Sequence, residues 1–316
     1  MKQEVYRLPE EFLSRLKQIY PHNYNNICSS FASKKAQSFR INYLKTDLRS
    51  LRRKLIEEHI KARELEWPPG AFILKSDMRR FQNTSIYREG LVYVQNISSM
   101  IPPLILRPQK GEKILDLCAA PGAKTTQIAS LVKEETEIVA VEKIRTRYYK
   151  LLANLKIQGA SFVKAILLDG VLVRKKFYDY FDKVLLDAPC SAEGKFYIKN
   201  PRSFKYWKYR KVKEMAHKQK RLFSSAFCAL KEGGILVYST CTFSPEENEE
   251  IVDWALDKFK DNISLFPVEV PFKNIKRGLL RWRKKKFSLS LDLTLRIIPT
   301  DYMEGFFIAC FKKVPS

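Results

Sequence analysis

The chain is predicted to be an α/β protein, with a doubly wound parallel sheet that follows a small N-terminal α+β domain. Two observations predict this fold class. From position 113 onward, apolar strand-like runs alternate with helix-like segments, which is typical of a parallel sheet covered by helices on both faces. The preceding part instead mixes amphipathic helices with short strands. We therefore predict an α+β domain at residues 1–84 and the doubly wound domain at residues 85–316.

The N-terminal domain is predicted to begin with a helix at 10–20, where apolar residues recur at helical spacing before a proline. An alternating pattern predicts a strand at 39–44. Asp47 is the expected N-cap of a basic helix at 48–63, and a short strand at 71–74 follows it. These elements make up the predicted α+β domain.

The second domain is predicted to contain five parallel strands with helices between and after them. The strands are expected at 113–118, 137–142, 162–168, 182–187 and 234–241, and the helices at 125–132, 144–157, 205–230 and 245–260. Two strand-like segments near the end of the chain, 293–298 and 305–312, predict an antiparallel hairpin. The last helix is expected to begin with Glu246, Glu247 and Glu249, whose carboxylates should interact favourably with the helix dipole.

The composition indicates a globular protein with a polyanionic partner. The chain carries 58 Lys and Arg against 34 Asp and Glu, and this net charge of +24 favours nucleic acid over a mere solubility surplus or a lysine-rich proteome. Six scattered cysteines form no C-x-x-C pair, so neither a zinc site nor a disulfide framework is indicated. Residues 1–4 lack the apolar core of a signal peptide, and no run reaches membrane-spanning length. We expect a cytoplasmic monomer with no membrane partner.

A loop of small residues follows the first predicted strand of the large sheet. Positions 115–126 read Leu-Asp-Leu-Cys-Ala-Ala-Pro-Gly-Ala-Lys-Thr-Thr, so a ligand can approach the backbone and the unpaired N–H groups of the next helix. The loop contains only Gly122 and therefore lacks both the G-x-G-x-x-G dinucleotide fingerprint and the Walker phosphate loop. A nucleoside with little phosphate remains, and S-adenosylmethionine meets that description.

Acidic residues end four successive strands: Asp116, Glu142, Asp169 and Asp187. Because the carboxyl ends of parallel strands share one edge of the sheet, we expect these side chains to hold a nucleoside there. Glu142 follows the loop at the distance at which a carboxylate takes ribose hydroxyls. Any one of the four could instead be a solvated strand end, but four in succession weaken that interpretation.

Two cysteines follow strands at the same edge. Cys190 stands in Asp-Ala-Pro-Cys-Ser and Cys241 in Tyr-Ser-Thr-Cys-Thr. A cysteine on a sheet is more often a small core residue than a nucleophile, and we expect core positions for Cys28, Cys228 and Cys310. Cys190 and Cys241 differ because one lies near an acid and the other precedes a helix N-terminus that favours a thiolate, so we expect both to be reactive.

Three basic regions are candidates for contact with nucleic acid. Basic and aromatic residues interleave at 195–210, and phosphate contacts with base stacking are favoured there over packing alone. The cluster at 273–286 is either another backbone contact or a mobile charged loop. In the N-terminal domain, basic side chains either face phosphates or belong to a solvated surface. They are Lys34, Lys35, Arg49, Arg52, Arg53 and Lys54.

Together these motifs resemble the signature blocks of the Sun-domain (RsmB/RsmF-like) RNA cytosine-C5 methyltransferases. The resemblance rests on seven short segments that are spread over most of the chain. They are 39–45, 95–100, 116–126, 187–191, 238–242, 245–249 and 305–309.

The resemblance implies a class I methyltransferase (Rossmann-like) fold that uses S-adenosylmethionine, preceded by a small RNA-binding domain. It also implies a cofactor loop that consists of Cys118, Ala119, Ala120, Pro121, Gly122, Ala123 and Lys124. Glu142 is implied as the ribose ligand, and Asp169 and Asp187 as further cofactor contacts. Cys241 is implied as the nucleophile that adds to C6 of cytosine, and Cys190 as the residue that assists product release. Asp187 is also expected to support the ring as it accepts charge.

Two positions depart from the family pattern. Ala192 stands where a glycine is usual, and we expect it to stiffen the loop over the base. Glu142-Lys143 replaces an aspartate-containing block but keeps a carboxylate. The predicted activity is the formation of 5-methylcytosine in rRNA or tRNA. The alternatives are a DNA cytosine methyltransferase, which uses the Pro-Cys cysteine as its nucleophile, and a catalytically inactive RNA-binding assembly factor with the same fold.

Overall fold

The computed structural model describes residues 7–315. Within this range the chain forms a four-stranded sheet, a nine-stranded sheet and a two-stranded hairpin. The helices are α1 (Glu10–Ile19), α2 (Tyr24–Ala32), α3 (Leu48–Glu57), α4 (Met78–Gln82), α5 (Ser85–Arg88), α6 (Ile97–Leu106), α7 (Ala123–Val132), α8 (Arg145–Ile157), α9 (Val173–Lys176), α10 (Tyr209–Ala229) and α11 (Glu249–Phe259). The prediction about a signal peptide concerns residues 1–4, which lie outside the described residues.

The strands are distributed over the three sheets. They are β1 (Ser38–Ile41), β2 (Ala62–Glu64), β3 (Ala71–Leu74), β4 (Val92–Val94), β5 (Lys113–Asp116), β6 (Glu137–Glu142), β7 (Lys164–Leu167), β8 (Phe181–Asp187), β9 (Leu230–Thr240), β10 (Ile263–Phe266), β11 (Ile275–Arg277), β12 (Arg281–Trp282), β13 (Lys285–Lys286), β14 (Leu295–Ile297) and β15 (Phe306–Lys313). In the part of the chain that the structure describes, no helix has the length and apolar character needed to cross a membrane.

The small sheet is antiparallel, in the order β2-β3-β1-β4. Helix α1 and strands β1 and β3 confirm predicted elements, and Asp47 caps α3 as predicted, because its carboxylate accepts the Ser50 amide at 2.9 Å. Helix α3 ends at Glu57, earlier than predicted, since His59 adopts a left-handed conformation with φ 52° and the chain then enters β2. Strand β4 pairs within this sheet, and the predicted division between residues 84 and 85 stays a prediction.

The large sheet confirms the predicted doubly wound α/β class. Its strands follow the order β11-β14-β15-β9-β8-β5-β6-β7, with β10 paired to β15. Strands β7, β6, β5, β8 and β9 are parallel, whereas β15 runs antiparallel between β9 and β14. The predicted hairpin is confirmed by the pairing of Leu295 with Ile308. Helices α6, α7 and α8 pack on one face, and α10 and α11 on the other, so both faces of the parallel strands are buried.

Helix α11 begins at Glu249, and the prediction of a start at residue 245 is wrong. The Asn248 side chain donates to the Thr242 carbonyl at 3.0 Å and accepts from a second threonine, which holds the preceding segment as a loop. Glu246 and Glu247 therefore lie before the helix, with buried side chains that pair with other groups. They do not act as exposed partners of the helix dipole.

Helices α1 and α2 pack against the large domain. The ring of Phe12 lies 4.9 Å from that of Phe196 and 5.7 Å from that of Trp207, and the ring of Phe31 lies 6.1 Å from that of Phe243. Burial of these rings in one cluster stabilises the contact, since each aromatic side chain removes a large apolar area from water. The N-terminal helices thus fix the loops that follow β8 and β9.

Candidate active site

A cavity of about 180 Å³ lies at the carboxyl ends of β5, β6, β8 and β9. Its lining combines apolar side chains, three carboxylates, three cysteines and three basic residues. The polar and reactive groups among them are Cys118, Glu142, Lys143, Arg147, Asp169, Asp187, Cys190, Lys218 and Cys241. The parallel sheet brings these groups to one edge, as the sequence predicts.

The carboxylates of Glu142 and Asp169 line this cavity, and protein groups hold both. Glu142 accepts the Ile144 amide at 2.8 Å and lies 3.3 Å from an Arg147 guanidinium nitrogen. Asp169 accepts the amide of Val171 at 3.1 Å and lies 2.6 Å from the Lys143 ammonium. Burial opposes the charge of Asp169, but the lysine and the amide lower its pKa. Both acids can therefore accept hydrogen bonds from ligand hydroxyls.

Asp116 does not line the cavity, and its predicted place among the ligand-holding acids is wrong. Its side chain is 1% exposed and accepts the Thr125 hydroxyl at 2.7 Å. Burial raises its pKa to about 6, because the charged form loses its hydration. This carboxyl group holds the start of α7 against the end of β5.

The predicted cofactor loop contributes Cys118 and Ala120 to the lining of the cavity. Gly122 lies directly before the first residue of α7 and adopts φ 108°. This backbone conformation would strain any residue that has a side chain. The Ala123 carbonyl accepts the Arg40 guanidinium at 2.9 Å, which fixes the helix start to β1. Ala119, Pro121, Gly122 and Ala123 are absent from the described lining residues, and their contact with the cofactor stays a prediction.

Buried Lys124 forms an ion pair with Asp187, which is half-buried and lines the cavity. The Lys124 ammonium lies 2.7 Å from one carboxylate oxygen of Asp187 and 2.7 Å from the Ser99 hydroxyl. The Ser239 hydroxyl donates to the other carboxylate oxygen at 2.8 Å. These contacts fix the rotamer of Asp187 and place an opposite charge beside its carboxylate. Lys124 thus influences the cavity through its ion pair with Asp187.

Cys190 and Cys241 face each other across the cavity, with their Sγ atoms 3.4 Å apart. Strands β8 and β9 pair in parallel with Asp187 opposite Ser239, and each cysteine follows its strand within three residues. The hydrogen bond from Cys190 lowers the pKa of Cys241, burial opposes this effect and the Lys195 ammonium reinforces it. The same hydrogen bond and burial raise the pKa of Cys190. Cys241 is therefore the better nucleophile of the pair.

Two buried glutamates, which the sequence did not single out as site residues, hold the loops that carry the thiols. Glu193 accepts the Trp207 indole N–H at 2.9 Å and the Ser244 hydroxyl at 2.7 Å with one oxygen. Its other oxygen accepts the Phe243 amide at 3.0 Å. Glu247 accepts the Ser191 amide at 2.9 Å, directly after Cys190. Each carboxyl group therefore ties the segment after β8 to the segment after β9.

Glu247 has the more perturbed ionisation of these two acids. Burial and the nearby charge of Glu193 raise the pKa of Glu247 to about 8. At neutral pH Glu247 is protonated, and its carboxyl group accepts a hydrogen bond from the Ser191 hydroxyl. Glu193 follows Cys190 by three residues and Glu247 follows Cys241 by six, and acids near a cysteine are too common to be identified as site residues from the sequence.

The aromatic part of the predicted basic cluster at 195–210 is largely core. Phe196, Phe204 and Trp207 are buried, so these rings pack in the core and are not available for stacking on bases. Tyr206 is 75% exposed, and the lysines beside it also face solvent. The exposed residues of the cluster, which also include Lys195 and Lys199, remain available for contact with nucleic acid.

Comparison with known proteins finds two family models that match this chain. A family model described as 16S rRNA methyltransferase RsmB/F matches residues 103–312. A second, described as the N-terminal domain of 16S rRNA methyltransferase RsmF, matches residues 8–97. The chain belongs to the RsmB/F methyltransferase family. The resemblance inferred from the sequence motifs is thereby confirmed, and the protein is an enzyme that uses S-adenosylmethionine.

Relatives in this family differ in the RNA that their names specify. The tRNA (cytosine(49)-C(5))-methyltransferase of Pyrococcus abyssi is 40% identical over 278 residues, which are 87% of this chain and 88% of that protein. Ribosomal RNA small subunit methyltransferase F of Vibrio parahaemolyticus is 34% identical over 320 residues, which are 99% of this chain and 64% of that protein. The chain thus spans somewhat under two thirds of the length of the latter relative.

Solved structures of the family share the whole fold. The structure of a methyltransferase homolog protein from Pyrococcus horikoshii superimposes with a TM-score of 0.85 at 29% identity, covering 97% of this chain and 95% of that one. The cavity residues also fit the methyl donor of the family. Glu142 and Asp169 offer acceptors for ribose hydroxyls, while Leu117, Ile144 and Leu222 provide an apolar surface for a base.

Proposed function

We propose that this protein methylates C5 of a cytosine in rRNA or tRNA through a covalent bond between Cys241 and C6 of the base. The observation that carries the proposal is the 3.4 Å separation of two thiols at the edge of a nucleoside-sized cavity. A single cysteine would be explained by packing, but packing does not account for a thiol pair in which the pKa of Cys241 is lowered. The names of relatives that act on tRNA and on rRNA support this substrate class.

The first step is addition of the Cys241 thiolate to C6. C5 of cytosine is a poor nucleophile, and formation of the S–C6 bond moves an electron pair into the ring, so that C5 becomes an enamine carbon. Asp187, held in place by Lys124, accepts a hydrogen bond from the exocyclic amine and orients the ring during this step. The target base must be unpaired or leave its stack to reach the thiol.

The second half of the reaction restores the thiolate. S-adenosylmethionine, when bound by Glu142 and Asp169, supplies the methyl group on an electrophilic sulfonium. The C5 proton then leaves to solvent, and its bonding electron pair re-forms the C5–C6 double bond as the S–C6 bond breaks. The Cys190 thiol donates a hydrogen bond to the departing Cys241 sulfur and so assists release.

The decisive experiment combines two measurements on wild type and Cys241→Ala. Transcripts of 16S rRNA and a tRNA pool are incubated with methyl-labelled S-adenosylmethionine, and 5-methylcytosine is quantified by mass spectrometry. We expect product from the wild type and none from Cys241→Ala, with unchanged affinity of both proteins for S-adenosylhomocysteine. Undiminished methyl transfer by the variant would eliminate Cys241 as the nucleophile.

The competing function is that of an RNA-binding assembly factor that has lost catalysis. The presence of Cys190, Cys241 and Asp187 in one cavity, together with Cys118 and Ala120 of the loop, argues against it, because a binding function requires none of the reactive groups. Bisulfite sequencing of total RNA from cells with and without the gene distinguishes the two. A cytosine that loses its methyl mark when the gene is removed supports the enzyme and identifies its RNA.

A further inference from the structure

A second cavity, of about 220 Å³, lies where the N-terminal domain meets the loop after β8. Segment 33–37 forms one wall and residues 194–200 form the other. We call it the lysine cleft, defined by its charged and amide side chains. They are Lys34, Lys35, Gln37, Lys195, Asn200 and Glu304.

The lysine cleft adjoins the reactive thiol. The Gly194 amide donates to the Cys241 carbonyl at 2.9 Å, and Lys195 is the next residue in the chain. A Cβ at Gly194 would lie 2.2 Å from the Gly305 carbonyl oxygen, so only glycine allows this close approach of the two segments. Lys195 is near enough to Cys241 for its ammonium to stabilise the thiolate. Whatever binds in the cleft therefore lies next to the base that Cys241 attacks.

The walls of the cleft are held in place by backbone contacts. The Ala36 amide donates to the Asp301 carbonyl at 2.7 Å, and the Lys35 ammonium donates to the Thr300 carbonyl at 2.5 Å. On the other side, the Ile198 amide donates to the Phe31 carbonyl at 2.9 Å. Because both walls are anchored, the cleft is formed before any ligand enters, and binding there requires little ordering of the chain.

The charges of the cleft select an anion. Within residues 7–315, neither Lys34 nor Lys195 has a carboxylate oxygen within 4 Å, and both side chains are exposed. Glu304 is the one acid that lines the cleft in the described part of the chain, and its half-buried carboxyl group has a pKa raised first by burial. Gln37 and Asn200 add amide donors. Ammonium groups with amide donors in a preformed cleft suit a phosphate group.

We propose that the lysine cleft binds the RNA phosphodiester next to the target cytidine, with Lys34 and Lys195 as its cationic contacts. The proposal rests on the proposed function, since the cleft is placed relative to a base in reach of Cys241. A phosphate contact fixes the register of the strand without reading its sequence, which suits a site that must present one extruded nucleotide. The cleft thus positions the RNA while the thiol pair carries out the chemistry.

The test compares Lys34→Gln with the matched control Lys110→Gln. Lys110 is also exposed but precedes β5, at the opposite edge of the sheet from the cavity. The probe is the transcript that the wild type methylates. For Lys34→Gln we expect a several-fold rise in KM for this RNA. We also expect its RNA affinity to fall less steeply with salt concentration, by an amount that corresponds to about one phosphate contact. Lys110→Gln should match the wild type in both measurements. Both variants should keep wild-type affinity for S-adenosylhomocysteine.

A neutral linkage in the RNA locates the contact. A methylphosphonate on one side of the target cytidine should weaken binding to the wild type and add little to the defect of Lys34→Gln, because both changes remove the same contact. The proposal would be overturned if the affinity losses from the methylphosphonate and from Lys34→Gln were fully additive, or if Lys34→Gln behaved like Lys110→Gln. Either result would leave the cleft without an RNA contact and would favour another occupant, such as an acidic protein. Absence of methylation by the wild type would instead refute the proposed function itself.

Discussion

The Sγ atoms of Cys190 and Cys241 lie 3.4 Å apart although 51 positions separate the two residues in the chain. The parallel register of β8 and β9 sets this distance, because Asp187 pairs with Ser239 just before the two loops. The hydrogen bond between the thiols shifts their pKa values in opposite directions, since it lowers the pKa of Cys241 and raises that of Cys190. One cysteine can therefore attack while the other assists its departure.

Cys190→Ala is expected to trap the enzyme on its RNA. Without the hydrogen bond from Cys190, the Cys241 sulfur is a poorer leaving group, so the S–C6 bond should persist after methyl transfer. Denaturing gel electrophoresis with labelled RNA should show a covalent adduct that the wild type does not accumulate. A Cys190→Ala, Cys241→Ala double variant is the control and should form none. Normal turnover of Cys190→Ala without an adduct would remove the proposed role in release.

Glu247→Gln should change how stability depends on pH. The pKa of Glu247 is about 8 in the folded protein against an ordinary value of 4.5. Between these values the unfolded chain has lost the proton and the folded protein keeps it, so the contribution of Glu247 to stability is full below pH 4.5 and is lost as pH rises to 8. Urea unfolding at several pH values should show a shallower decline for Glu247→Gln. An identical decline in both proteins would contradict the assignment.

Arg296→Ala is expected to destabilise the fold strongly. Arg296 and Glu249 are buried, and the guanidinium donates to both carboxylate oxygens, to the Tyr20 hydroxyl at 2.8 Å and to the Phe243 carbonyl at 2.9 Å. Removal of one partner leaves a buried charge without compensation, at a cost of about 3–5 kcal/mol in the free energy of unfolding.

The matched control is Arg52→Ala, which breaks an exposed ion pair with Glu64. Because solvent screens this pair, we expect no measurable change in the urea midpoint. Similar midpoints for Arg296→Ala and Arg52→Ala would show that the buried pair contributes little.

Ala192→Gly should stabilise the loop after Cys190. Ala192 adopts φ 58° and ψ 30°, a left-handed conformation that strains an L-residue and that glycine adopts freely. We expect a gain of about 1 kcal/mol in the free energy of unfolding. Ala216→Gly in the interior of α10 is the control and should lower stability by a similar amount. A loss of stability in both variants would refute the strain at Ala192.

The sequence predicted the elements of the large domain because their local patterns are strong. Apolar runs of strand length, an N-cap at Asp47 and the loop at 115–126 act through neighbouring residues, so they can be recognised one segment at a time. The prediction failed for the start of the helix at 245–260, and it did not say which aromatic rings of the 195–210 cluster, such as those of Phe196 and Trp207, are buried. In both cases distant groups decide, since buried contacts override what charge and aromatic content favour locally.

The sequence by itself determined the fold class, the order of the strands along the chain and the two cysteines of the candidate site. Only the tertiary structure decided that Asp116 is withdrawn from the cavity, that Glu193 and Glu247 hold the thiol loops, and that Lys34 and Lys195 line one cleft. The physical reason is the separation along the chain over which each effect acts. Periodicity and capping act over a few residues, whereas burial, ionisation and charge pairing depend on groups that meet only when the sheet has formed.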